Sequence, residues 1–107
     1  MKVLEKHTTG HGFDHDVIER QGMAALVAAT HKTSKHRHWE VWHIQSHPDM
    51  EVHGHASPAA EYPPGPNSWG KQGWTYVTEP EARIRYARLI RELEEKTSKE
   101  GQHQVPA

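Results

Sequence analysis

The chain has 107 residues, no cysteine, 34% apolar content and a formal charge of -1 with its 11 histidines neutral. A disulfide framework, a thiolate-bound zinc finger and a cysteine nucleophile are thereby excluded. So balanced a charge argues against the basic field of a typical nucleic-acid binder and against an acidic mimic of DNA.

The longest apolar run, Met23–Ala29, falls far short of the roughly 20 residues that cross a bilayer. Residues 1–9 hold no signal-peptide apolar region. The expectation is a cytoplasmic protein with one domain over 1–100 and a flexible tail over 101–107. Mean hydropathy is -0.95, so the core must lean on few large residues, the four tryptophans above all.

In chain order, Asp16–Arg20, Met23–His31 and Arg37–Gln45 read as a β-meander. Gln21-Gly22 and Lys32-Thr33-Ser34-Lys35 supply the turns, and Trp39-Glu40-Val41-Trp42-His43-Ile44 makes a strongly β-prone central strand. A helix over Asp14–Ala29 is the alternative, since Met23–Ala29 is alanine-rich. Residues 58–73 carry four prolines and three glycines and read as a long irregular loop. Gly73–Val77 has strand composition and leads into Thr78-Glu79-Pro80-Glu81, a capping box with proline in the first turn. The helix that follows, Glu79–Lys96, places Ala82, Tyr86, Leu89, Ile90 and Leu93 on one stripe, with Arg85, Arg88, Glu92 and Glu95 opposite. The sum is an α+β domain, an antiparallel sheet of four to five strands packed against one C-terminal helix.

Three constellations could carry function. Tyr62, Trp69 and Trp74 lie on or beside the proline-rich loop, and aromatic anchors on a stiff loop lose little entropy when they bind a protein. Lys32, Lys35 and Arg37 beside Trp39 and Trp42 form a basic and aromatic hairpin that could follow a phosphate backbone and stack bases. His53, His55 and Glu61 could form a facial triad for a divalent transition metal, because imidazoles at i and i+2 on a strand point the same way. His36 and His38 repeat that spacing. The helix arginines are neutralised by Glu81–Arg85, Arg88–Glu92 and Arg91–Glu95 spacings and read as a solvated face. No Gly-x-Ser-x-Gly elbow and no phosphate-cradling loop occurs, so a protein without catalytic residues or a bound cofactor is expected.

The order of His38-Trp39-Glu40-Val41-Trp42-His43-Ile44, Ala60-Glu61-Tyr62-Pro63, Ser68-Trp69-Gly70, Gly73-Trp74-Thr75-Tyr76 and a capped helix resembles a group of short uncharacterised tailed-bacteriophage proteins. It spans roughly residues 17 to 93. That resemblance implies a compact accessory protein, acting in the infected bacterium, that binds and modulates a host or defence protein; a homodimer is compatible with it. His53-Gly54-His55 with Glu61 resembles the opening of a cupin metal motif, from which it departs in the longer gap to Glu61 and in Pro63-Pro64. Trp69-Gly70-Lys71 is similar to the start of a WGR domain, although the helix follows too soon.

Overall fold

Strand β3 (Ala24–His31) is the centre of the molecule, and six consecutive residues in it, Ala24 to Ala29, are buried. A strand reads as a continuous apolar run instead of an alternating one when both of its faces are covered, and here both are. The computed structural model describes residues 2–10 and 12–103, with side chains as far as Lys96. It shows the expected α+β architecture. A five-stranded antiparallel sheet has the order β1 (His7–Gly10), β2 (Phe13–Gln21), β3, β4 (Arg37–His43) and β9 (Gly73–Tyr76), followed by α1 (Glu79–His103).

The first face of the sheet meets α1. Ala24, Leu26 and Val41 pack on Ala82, Tyr86 and Leu89, ringed by Trp39, Trp74, Tyr76, Ile90 and Leu93. Small residues in β3 leave room for the large rings of its neighbours, and burial of Leu26 alone contributes about 2 kcal/mol. The second face gathers Ala25, Val27, Trp42 and Ile44, with Leu4, Val17 and Met23 at its margin. A helix over Asp14–Ala29 is therefore ruled out: β2 and β3 fill that span, joined through Gly22 at φ 60.

The segment between β4 and β9 is more ordered than its composition implies. β5 (Gln45–His47) pairs with β8 (Ala60–Tyr62), and between them β6 (Met50–Val52) and β7 (His55–Ser57) close a hairpin on His53 and Gly54, both at positive φ. The expected loop over 58–73 thus begins with a strand and contains a 3-10 turn at Pro66–Ser68. Helix α1 runs to His103, beyond the expected end at Lys96. Of the expected tail, residues 101–103 are helical and 104–107 lie outside the described residues.

At the helix start the Thr78 hydroxyl donates to the Glu81 carboxylate at 2.6 Å, a side-chain variant of the expected box. Arg85 leaves the solvated face and lies 3.8 Å over the Trp74 ring; its carboxylate partner is Glu92, at 3.8 Å, instead of Glu81. The Arg88–Glu92 pair is present at 3.6 Å. No described helix is long and apolar enough to cross a membrane.

Glu61 ties the N-terminal segment to the sheet. It accepts two 2.7 Å bonds from the Arg20 guanidinium and one of 3.0 Å from the Leu4 amide. The Arg20 bonds, then the Leu4 amide, pull its carboxyl down to about 2. A depressed carboxylate stabilises the fold fully above its unfolded value and loses that contribution as pH falls through the folded one. In a denaturant series, Glu61→Gln should trail the unsubstituted protein by a constant margin above about pH 5 and converge with it toward about pH 2. A margin that stays constant across that range would contradict the tie.

Candidate functional site

Alternation along β4 sends Trp39, Val41 and His43 to the helix face and His38, Glu40 and Trp42 to the other. Register then lines up what lies beside Glu40. Ala29 stands opposite both His15 and His38, and Val27 stands opposite both Val17 and Glu40. Thr75 of β9 is the neighbour of Glu40 on the outer side. A carboxylate therefore sits near the middle of the second face, flanked by imidazoles from two strands, over a floor of alanine and valine.

Glu40 is only 6% exposed. Its Oε2 accepts from His38 Nε2 at 2.7 Å and from His15 Nε2 at 3.3 Å, and its Oε1 accepts from the Trp42 indole N–H at 2.8 Å. Burial pushes the carboxyl upward, but the bonds from His15, Trp42 and His38 outweigh it and hold Glu40 below its ordinary value. Phe13 braces the imidazoles: its ring meets His38 at 5.2 Å and His31 at 5.1 Å, both edge to face. The His15 ring lies 5.6 Å from Trp42.

The proline-rich loop passes over this cluster and leaves a cavity of about 520 Å³ between them, lined by Glu40, His15, Trp42, Pro63, Pro64 and Trp69 among others. Two contacts hold the loop in place. The Trp69 indole donates to the Thr75 hydroxyl at 2.9 Å. Its ring also lies so close over Gly73 that an added Cβ would stand 2.5 Å from a ring carbon, so only glycine fits beneath it. Pro64 is buried in the same contact.

Of the expected partner-binding residues, Tyr62 and Trp69 stay accessible, at 43% and 40% exposure. Trp74 does not: it packs into the helix-side core beneath Arg85. The expected nucleic-acid surface does not assemble. Lys32, Lys35 and Arg37 are exposed, but Trp39 packs against the helix-side core and Trp42 is buried on the opposite face of the same strand. The expected metal triad is likewise not brought together. His53 and His55 are exposed on the β6–β7 hairpin while the Glu61 carboxylate is engaged by Arg20 and Leu4. Among the described residues no group of three or more histidines and carboxylates is placed to hold a metal ion.

The sequence does not single out Glu40 or His15 as functional residues, and it offers His38 only as half of a pair with His36 and as the start of a motif beside the basic hairpin. The available signal was an acidic residue between two tryptophans in a strand otherwise built for burial; the 25-residue separation of His15 from Glu40 hid its partner.

An ionised carboxylate only accepts, so both imidazoles must present a proton on Nε2, and in the neutral ring Nδ1 is then the acceptor. Long-range proton–nitrogen correlation spectra near pH 7.5 should show His15 and His38 both in the Nε2–H form. An Nδ1–H form at either ring would contradict the arrangement. Comparison with protein-family models, curated proteins and solved structures finds no match.

Proposed function

We propose that this is a small phage-encoded accessory protein that binds and modulates a host or defence protein in the infected bacterial cytoplasm, without catalysing a reaction. The contact surface is the segment from Tyr62 to Trp69. The observation that carries this reading is that Trp69 is 40% exposed yet rigidly seated by its bond to Thr75 and its contact with Gly73. The adjoining turn adds backbone bonds from Ser68 to Gly65 and from Lys71 and Gln72 to Ser68.

A large ring held ready at the surface gives up little conformational freedom on binding, which is the economy that makes tryptophan and tyrosine frequent anchors of interfaces. Prolines 63, 64 and 66 stiffen the same segment. Phage origin rests on the resemblance of the motif order, and inhibition of the partner is the role that such an origin favours.

The test is affinity capture from bacterial lysate, with and without nuclease, read by mass spectrometry. The control is Tyr62→Ala/Trp69→Ala, checked for folding by circular dichroism. A stoichiometric protein partner should survive nuclease, and each alanine should weaken its affinity by about tenfold or more. Capture that disappears with nuclease, or that is unchanged in the folded double variant, would contradict the reading.

A further inference from the structure

The cavity beneath the loop has a chemical character of its own. Its floor holds Glu40, a charged side chain more than nine-tenths buried, and none of its lining residues is lysine or arginine. A carboxylate has about four lone-pair sites. His15 and His38 occupy those of Oε2 and Trp42 occupies one on Oε1, which leaves one site on Oε1 without a described protein donor.

With Nε2–H committed to Glu40, the Nδ1 atom of a neutral His15 ring is an acceptor too, and Thr8 and Thr9 add hydroxyls to the lining. The rest of the wall is tryptophan, proline and two glycines. Negative charge, spare acceptors and tryptophan beside an apolar wall are what an organic cation requires: N–H groups meet acceptors, the charge meets carboxylate and ring face, and the carbon chain meets proline. Anions such as phosphates meet the Glu40 carboxylate there and no lysine or arginine. A volume of about 520 Å³ falls within the range of small-molecule sites.

We propose that this cavity binds a small organic cation, an alkylammonium or alkylguanidinium group, whose N–H donates to Glu40 while its carbon portion lies against Trp42, Trp69 and the prolines. The site is on the inner side of the loop and does not depend on a protein partner bound outside.

The experiment follows the indole N–H resonances of the full chain during titration with n-butylammonium, n-butylguanidinium and the neutral isostere n-butylurea. At least one cation should give saturable shifts at Trp42 and Trp69, with affinity about tenfold or more above that of the urea, the factor of one charge-assisted hydrogen bond. Glu40→Gln should remove that advantage. Because Glu40→Gln could also disturb folding, the comparison of cation with urea in the unsubstituted protein decides by itself. Equal affinities for cation and urea, or no saturable shift with either cation, would overturn the proposal. The Nα-acetyl methylamides of lysine and arginine identify the source: tighter binding than the butyl cations assigns the site to a basic side chain of a protein, weaker binding assigns it to a free small cation. Either ranking upholds the cation site.

Discussion

Burying an ionised carboxylate costs several kcal/mol unless hydrogen bonds and opposite charge compensate, and the second face of this sheet is organised around meeting that constraint at Glu40. Three donors from two strands converge on it: His38 and Trp42 through the alternation of β4, His15 through the pairing register of β2. A slip of one residue in β2 against β3 would turn His15 to the other face and leave the carboxylate with fewer partners. The network thus specifies register as well as filling space, while the alanines of β3 keep the floor low enough for four aromatic or imidazole rings above it. The same groups make the cavity under the loop acidic and rich in acceptors.

The sheet works as a two-sided partition. One face is closed by α1 through aliphatic and aromatic packing. The other is closed by a loop that could not bury itself without anchors. Trp69 supplies one by lying on Gly73 and bonding Thr75, and Glu61 supplies another by joining Arg20 to the Leu4 amide. The loop is consequently held in place, with Tyr62 and Trp69 accessible at its surface and its prolines toward the cavity.

Much of the fold was legible in the sequence because local signals were strong. The Thr78–Glu81 cap, the stripe from Ala82 to Leu93 and the β-branched and aromatic content of β4 each report on nearest neighbours. β1 was not legible, since His-Thr-Thr-Gly is polar and becomes a strand only by pairing with β2. Ala60–Tyr62 looked like loop because its pairing to Gln45–His47 is distant in sequence. The site was the least legible part. Periodicity could place His38, Glu40 and Trp42 on one face, but only the register of β2 brings His15 there. The histidines that drew attention by spacing, at 53 and 55, belong to an exposed hairpin, and spacing alone carries no information about a third ligand.

Glu40 lies ionised and shielded beneath the loop, with the Trp42 indole as one of its donors. Hydrogen exchange at the Trp42 indole N–H tests it most directly. Protection approaching that of the backbone amides of Val27 and Val41 would agree with a buried, charge-assisted bond. Exchange as fast as that of a solvent-exposed indole would mean that the loop does not close over the sheet and that the cluster beneath it is not formed.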